Sequence, residues 1–286
     1  MSRIAYVNGR YLPHRDACVH VEDRGYQFAD GVYEVCEVRG GKLIDERRHL
    51  DRLDRSLTEL RIAAPMSRGA LTTVLRETVR RNLVRDGLVY LQVTRGVARR
   101  DHGFPAASVP PSIVVTARSA NFAKNDATAA AGMKVISLPE NRWDRVDIKS
   151  VGLLPNVLAK QAAREAGAGE AWFVDAQGHV TEGASTNAWI VTQDGRLVTR
   201  PAEHGILRGI TRTVLMEVAA EMQLKVEERA FTLDEAKAAK EAFVSSATSL
   251  IMPVIAIDGT PVGTGTVGPV ARNLRAEFHN FAEASA

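Results

Sequence analysis

The sequence predicts a mixed α+β protein built from two domains. At 286 residues the chain is longer than most single domains, which favours two. Runs of β-branched and aromatic residues alternate with amphipathic, helix-like segments along the whole chain. Between Ala117 and Ala131 the composition shifts to Ala, Asn, Asp and Lys, which is typical of a connector or a short surface helix. We therefore expect an N-terminal α+β domain over residues 1–120 and a C-terminal α/β domain over residues 121–286.

Two β-hairpins should open the first domain. Asn8-Gly9 readily takes the positive φ angles of a tight hairpin turn, and Gly40-Gly41 can do the same further on. The segments beside both turns are rich in residues that favour strands. The strands predicted beside these turns are residues 3–7, 10–12, 31–39 and 42–44.

Helices should follow the hairpins. Four leucines recur at helical spacing between Glu46 and Ile62, so this segment presents one apolar stripe to a core. Ser67 can cap a second helix. β-branched runs then predict strands at residues 88–94 and 112–116.

The second half mixes strands and helices in the same way. Gly209 precedes one predicted helix, a capping box formed by Thr232 and Glu235 begins a short one, and Pro269 begins another. A further helix is expected around residues 156–165. The predicted strands are residues 134–137, 171–174, 243–246 and 251–257.

Composition and charge exclude several classes of function. The net charge of +3 arises from 37 basic and 34 acidic residues spread along the chain, so no basic arm or stripe predicts nucleic-acid binding. Cys18 and Cys36 have neither metal-like nor redox-like spacing, so we expect no metal site and a reducing, cytoplasmic setting. No apolar run approaches the roughly 18 residues of a membrane span, and the N-terminus lacks the apolar stretch of a secretory signal.

One lysine stands out among only eight. Lys149 precedes the apolar run 151–154, so its side chain could be partly desolvated. Burial would lower its pKa from about 10.4 and make the neutral, nucleophilic amine available. Local sequence alone leaves open the alternative that Lys149 is an ordinary solvated loop lysine.

Six blocks give that lysine a context. They include Asp-Ile-Lys-Ser around Lys149, Asn-Val-Leu-Ala-Lys-Gln after it, and Val-Thr-Glu-Gly-Ala-Ser-Thr-Asn further on. In this order and spacing the chain resembles the D-amino acid aminotransferases of pyridoxal-phosphate fold type IV. The resemblance implies a two-domain fold with the active site between the domains, and pyridoxal 5'-phosphate as the cofactor. The blocks are residues 22–34, 49–53, 147–150, 156–161, 180–187 and 209–212.

The resemblance implies catalytic roles for two matched residues. Lys149 would bind the cofactor covalently and later move the proton between the substrate Cα and the cofactor C4′. Glu182 matches the carboxylate beside the pyridine nitrogen, where an anion keeps the ring protonated and electron-accepting. Without the resemblance, Glu182 could equally be a glutamate at the end of a strand.

A phosphate site is implied in the same way. Arg52 matches the arginine that binds the cofactor phosphate, although taken alone it could be a solvated helix residue. Ile210 and Thr211 would offer backbone amides at the start of the helix after Gly209, and Thr248 would add a hydroxyl.

Substrate choice depends on how the α-carboxylate is held. Arg100 and His102 match a loop pair that binds this group in the D-amino acid branch, assisted by the tyrosine at Tyr33, which should also tune the proton affinity of Lys149 by hydrogen bonding. Asp101 lies between the two cations and could compete for Arg100. In the relatives this loop serves the neighbouring subunit, which implies a homodimer. The expected reaction is amino transfer between D-amino acids, such as D-alanine or D-glutamate, and 2-oxo acids, such as 2-oxoglutarate or pyruvate.

Several alternatives remain at this stage. A branched-chain aminotransferase, an (R)-amine transaminase or an aminodeoxychorismate lyase would keep the equivalents of Lys149, Arg52 and Glu182. A non-catalytic binding module is a second class. The glycines at residues 263–268 fit G-x-G-x-x-G, but too little chain follows for a dinucleotide-binding unit, so we interpret them as a turn before the helix at Pro269.

Overall fold

The fold is described by a computed structural model over residues 3–203 and 205–285. Strands and short helices alternate in its first part, as the sequence predicts. The elements there are β1 (Ile4–Val7), β2 (Arg10–Pro13), a 3-10 helix (His14–Asp16), α1 (Arg24–Phe28), β3 (Gly31–Arg39), β4 (Lys42–Ile44), α2 (Glu46–Glu59), α3 (Arg68–Arg81), β5 (Gly87–Thr94) and β6 (Ser112–Ser119).

The remaining elements continue this alternation to the end of the described chain. They are α4 (Phe122–Ala131), β7 (Met133–Pro139), α5 (Leu154–Glu165), β8 (Glu170–Val174), β9 (Val180–Gly183), β10 (Asn187–Val191), β11 (Leu197–Thr199), α6 (Ile210–Glu221), β12 (Val226–Glu228), α7 (Leu233–Lys237), β13 (Glu241–Ser246), β14 (Leu250–Ile257), β15 (Thr260–Pro261), α8 (Pro269–Phe281) and β16 (Ala284–Ser285).

The first sheet is antiparallel between all its described neighbours, in the order β16-β4-β3-β5-β6-β1-β2. Both predicted hairpins are confirmed, with Asn8-Gly9 and Gly40-Gly41 at positive φ. α2 and α3 contribute to the core of this sheet. The leucine stripe of α2 is buried as predicted, and each such side chain contributes about 1.5–3 kcal/mol. Arg61 has a φ of 53°, so α2 ends at Glu59, before the predicted Ile62.

The second sheet is mixed, and its main path is β12-β11-β10-β13-β14-β7-β8-β9. Its centre is buried on both faces. Ala188 and Ile190 of β10 belong to one core, whereas Trp189 and Val191 belong to another that includes side chains of α6 and α8. This alternation follows from the two-residue period of a strand, and it explains why β10 is continuously apolar after Asn187.

The turn and connector segments also have clear outcomes. The glycines at 263–268 precede α8, which begins at Pro269 as interpreted from the sequence. Two of them, Gly263 and Gly265, lie at positive φ. The segment of shifted composition is partly strand, since β6 runs to Ser119, and partly the short helix α4. Among the described residues, no helix has the length and apolar character needed to cross a bilayer.

The chain divides into two compact units. The first runs to Phe122, two residues past position 120, and includes Ile148–Gly152 and the segment that begins at Glu283. The second comprises Ala123–Asp147 and Leu153–Ala282. This division corrects one expectation, because Lys149 belongs to the first unit and not to the C-terminal domain.

The physical reason lies on both sides of Lys149. The buried side chain of Ile148 joins the core of the first sheet. The backbone around Lys149 is hydrogen-bonded to β3 of the same unit. A segment that is late in sequence is thus part of the N-terminal unit.

Candidate active site

The Lys149 segment is fixed by hydrogen bonds to β3. The amide of Tyr33 donates to the carbonyl of Lys149 at 3.0 Å, and the amide of Val151 donates to the carbonyl of Gly31 at 3.0 Å. Ser150 forms a bridge with Val32. These backbone bonds give the lysine a defined position, unlike the solvated loop lysine considered from sequence alone.

The Lys149 side chain is half-buried and contacts an aromatic ring. Its Nζ lies 4.3 Å from the centroid of the Tyr33 ring. A cation in this position is stabilised by about 0.5–2 kcal/mol, depending on its exposure. The Lys149 amide also lies 3.5 Å from Oγ of Ser56 on α2. The predicted pairing of Lys149 with Tyr33 is therefore present, but through the face of the ring. The hydrogen-bonding role of the Tyr33 hydroxyl stays a prediction.

Arg52 lies on α2, one helical turn before Ser56, and is held by a buried carboxylate. Its Nε and Nη2 donate to the two oxygens of Glu34 at 2.7 and 2.8 Å. His49 Nδ1 lies 2.7 Å from the same carboxylate. Burial alone would raise the pKa of Glu34, but Arg52 and His49 outweigh it and hold the pKa at about 2. Arg52 is therefore charged and oriented by protein groups.

The loop with Arg100 and His102 packs on Phe28 at the end of α1. The Arg100 guanidinium carbon lies 5.0 Å from the centroid of the Phe28 ring, and the His102 ring lies 5.5 Å from it. The carboxylate of Asp101 accepts a hydrogen bond from the amide of Gly103 at 3.2 Å. No ion pair joins Asp101 to Arg100 in the described part of the chain, so the predicted competition is not seen.

Glu182, on β9 of the second unit, is buried within a network of hydrogen bonds. Arg142 Nη1 donates to its Oε1 at 2.6 Å, while Asn187 Nδ2 and the amide of Leu207 donate to its Oε2 at 3.0 and 3.1 Å. Arg142 also binds Glu140, with Nη2 donating at 2.6 Å. Burial raises the pKa of Glu182 above its ordinary value, against the opposing effect of Arg142. A carboxyl group with a raised pKa in a dry site is suited to share a proton with a basic nitrogen.

The start of α6 lies beside this network. A Cβ added at Gly209, its N-cap residue, would lie 2.1 Å from Oδ1 of Asn187. No described side chain caps this helix, and its first residues, Ile210 and Thr211, are buried. Since the first amides of a helix have no partner within it, this end can bind an anion.

Thr248 lies at the same edge of the second sheet as Asn187. It is exposed in the turn between β13 and β14, and Asn187 pairs with Ser245 near the end of β13. Its hydroxyl lies 3.2 Å from that of Ser246. The structure thus brings Glu182, α6 and the Thr248 turn to one edge of the second sheet.

Comparison with known families identifies the chain. The sequence profile of the family "Amino-transferase class IV" matches residues 31–257. The chain belongs to the class IV aminotransferases. It is 39% identical to a D-alanine aminotransferase of Staphylococcus haemolyticus over 279 residues, covering 97% of each chain. It is 41% identical to a D-alanine aminotransferase of Bacillus licheniformis over 273 residues, covering 96% of this chain and 95% of the relative.

Solved structures of class IV enzymes have the same fold. The branched-chain amino acid aminotransferase from Escherichia coli superposes with a TM-score of 0.87 at 25% identity, covering 98% of this chain and 94% of the other. A thermophile's enzyme of the same name, solved with pyridoxamine 5'-phosphate, superposes with a TM-score of 0.89 at 25% identity, covering 99% of this chain and 98% of the other. The predicted family and the fold type are therefore confirmed. Class IV aminotransferases use pyridoxal 5'-phosphate as their cofactor.

The side chains of this class IV aminotransferase have the chemistry that the cofactor requires. An aldehyde needs an amine, which Lys149 offers in a fixed, half-buried position. A pyridine nitrogen needs a buried acid, which Glu182 supplies. A phosphate needs a cation and unpartnered amides, and the uncapped start of α6 beside Gly209 has amides of this kind. The donor set fits the cofactor.

Several functional residues of this aminotransferase were not singled out from the sequence. Glu34 and His49 orient Arg52, while Arg142 and Asn187 complete the surroundings of Glu182. Three of them lie inside the matched blocks, so an acidic or amide residue next to a predicted site residue was the available signal. Arg142 lies outside the blocks, and only its burial beside two carboxylates reveals its part.

Proposed function

We propose that this protein is a pyridoxal-phosphate-dependent D-amino acid aminotransferase. It transfers the amino group between D-amino acids of the D-alanine or D-glutamate type and 2-oxo acids such as 2-oxoglutarate or pyruvate. The observation that carries the proposal is the fixed position of Lys149, with its amine against the Tyr33 ring. The two relatives named D-alanine aminotransferase, at 39% and 41% identity, support the choice of D-amino acids.

Each site residue has a defined task in this reaction. When bound, the cofactor supplies an electron-accepting ring conjugated to the substrate nitrogen. Lys149 holds the cofactor aldehyde carbon covalently; once displaced by the substrate amine, it takes the proton from the substrate Cα and returns it at C4′. Glu182 holds the proton at the pyridine nitrogen. Its raised pKa matches it to that basic partner.

The phosphate end is held by groups of opposite charge and by amides. Arg52, already oriented by Glu34, binds the phosphate as a fixed cation. The amides of Ile210 and Thr211 and the hydroxyl of Thr248 complete the phosphate site. Because these donors are positioned by the fold, little ordering is needed when the cofactor binds.

We further propose that Arg100 and His102 bind the substrate carboxylate of a neighbouring subunit in a homodimer, together with that subunit's copy of Tyr33. In the described part of one chain, both loop side chains pack on Phe28 and neither contacts Tyr33. Tyr26, on α1 beside this loop, is 75% exposed, and a large exposed apolar residue suits an interface. Two unpaired cysteines are in keeping with a cytoplasmic location.

Colour and covalent trapping test the cofactor assignment. The purified protein with added pyridoxal phosphate should absorb in the visible range, and borohydride should attach the cofactor irreversibly to the peptide that contains Lys149. Lys149→Ala should abolish both signals and the activity. Lys42→Ala, which removes an exposed lysine of the same unit, is the matched control and should change neither. Trapping on a different lysine would refute the assignment.

A coupled assay with a panel of D- and L-amino acids tests the substrate assignment. D-alanine or D-glutamate should be consumed with 2-oxoglutarate, whereas L-leucine should not. Use of L-leucine without D-alanine would indicate a branched-chain aminotransferase. Amines without a carboxylate as the sole donors would indicate an amine transaminase, and release of pyruvate from aminodeoxychorismate without an acceptor would indicate the lyase. Sedimentation of the holoenzyme should give twice the chain mass of 31.1 kDa.

A further inference from the structure

The loop with Arg100 and His102 is held by a buried arginine of α1. Arg24 is 4% exposed, and its Nη1 donates to the backbone carbonyl of Asp101 at 2.6 Å. Its Nη2 lies 3.5 Å from the carbonyl of His102. A single guanidinium thus contacts two consecutive carbonyls, which are the peptide groups between and just after the two predicted carboxylate-binding side chains.

Arg24 is itself fixed by a carboxylate that it shares with a second arginine. Its Nε donates to Asp30 Oδ2 at 2.8 Å. Arg95 binds both oxygens of Asp30 at 2.7 and 2.9 Å, and its guanidinium carbon lies 3.7 Å from the centroid of the Phe104 ring. Asp30 therefore connects the two ends of the loop, since Arg24 contacts its middle and Arg95 lies at its start.

Phe28 adds an apolar contact to the same arrangement. The Arg24 guanidinium carbon lies 4.9 Å from its ring centroid, close to the distances that Arg100 and His102 make to that ring. Three cationic or polar side chains thus share one aromatic platform. Removal of Arg24 would free two backbone carbonyls of the loop and also leave part of the Phe28 ring uncovered.

We propose that Arg24 is a positioning residue for substrate recognition, which sets the backbone of the Arg100–His102 loop so that both side chains are oriented for a carboxylate before substrate arrives. The inference rests on the proposed function, since it assigns those two side chains to the α-carboxylate. Arg24 acts only through the loop and touches neither substrate nor cofactor. Misplacing a binding group by about 1 Å can cost about 100-fold in rate, so a loosened loop should have a measurable effect.

Steady-state kinetics of the holoenzyme provide the first test. Arg24→Gln should raise KM about tenfold or more for both D-alanine and 2-oxoglutarate, because both carry the carboxylate, and should lower kcat less than about threefold. Arg24→Lys keeps the charge beside Asp30 but loses the forked donors, so its KM should lie between those of Arg24→Gln and the wild type. Arg61→Gln is the control. It removes an exposed guanidinium over Phe104 and should leave both constants unchanged.

Hydrogen exchange gives a readout that does not depend on turnover. Amides of the peptide spanning residues 99–104 should exchange faster in Arg24→Gln than in the wild type, while α2 and the second sheet keep their protection. An unchanged KM and unchanged loop exchange would overturn the proposal. So would faster exchange throughout the first unit with equal losses in kcat and kcat/KM, since that pattern indicates a purely structural role. Failure of wild-type protein on every D-amino acid would refute the proposed function instead. The variants would then be compared on whichever amino acid the wild type consumes.

Discussion

Replacing Arg142 by methionine should destabilise the second unit markedly. The side chain of Arg142 is 6% exposed, and it makes ion pairs of 2.6 Å with both Glu140 and Glu182. Methionine fills much of the same volume but leaves the carboxylate of Glu182, which is 5% exposed, without its cation. Breaking a buried pair in this way costs about 3–5 kcal/mol. The amide donors on the other oxygen of Glu182 remain, so we expect about 3 kcal/mol, at the lower end of that range.

The loss should depend on pH, and the sign follows from Glu182. Its pKa is already raised above 4.5 by burial, and removal of Arg142 raises it further. Between this raised pKa and 4.5 the folded protein binds a proton that the unfolded chain does not, so acid favours folding in that window. The deficit of Arg142→Met relative to wild type should therefore shrink as the pH falls from 7 towards 4.5.

Urea unfolding at fixed protein concentration measures both effects, since association makes stability concentration-dependent. Arg145→Met is the matched control from the same connection, because the Arg145 side chain is 41% exposed and its pairing with Asp147 should contribute at most about 1 kcal/mol. Glu182→Gln added to Arg142→Met should recover part of the loss at pH 7. A deficit under about 1 kcal/mol, or one that grows as the pH falls, would refute this reasoning.

Two other carboxylates lead to predictions about stability. Glu241 accepts hydrogen bonds from the first amides of α8, so Glu241→Gln should lower the unfolding free energy by about 1–2 kcal/mol, whereas Glu277→Gln on the same helix should change it by less than about 0.5 kcal/mol; similar losses for both would exclude a specific cap. The pKa of Glu34 is lowered to about 2 by Arg52 and His49, so its contribution is complete above 4.5 and lost as the pH falls towards 2. Glu34→Gln should cost about 3 kcal/mol at pH 7, with a difference from wild type that narrows between pH 4.5 and 3 in acid-dependent urea titrations; a constant difference would argue against the pairing.

The elements that follow from local patterns could be predicted from the sequence. The hairpin at Asn8-Gly9 and the leucine stripe of α2 depend on near neighbours in the chain, and both appear where expected. The end of α2 was less accurate, because the positive φ of Arg61 is not required by its side chain. Local sequence predicts elements well when the forces that form them are local.

The candidate site divides along the same line. The resemblance singled out Lys149 and Glu182, but their partners come from distant segments. Arg142 reaches Glu182 across 40 positions, and Arg24 reaches Asp101 across 77. The placement of Lys149 in the first unit likewise depends on backbone bonds to β3. Pairings across such separations are set by tertiary structure and leave no periodic trace in the sequence.

The last strand of the first sheet has a consequence for biosynthesis. β16 pairs with β4, and the amides of Asp45 and Glu283 each bond to an oxygen of the other residue. A ribosome releases residues from the N-terminus onward, so this edge cannot be completed until nearly all of the polypeptide has been translated. The nascent N-terminal unit must therefore wait, with β4 uncovered, while the whole second unit emerges.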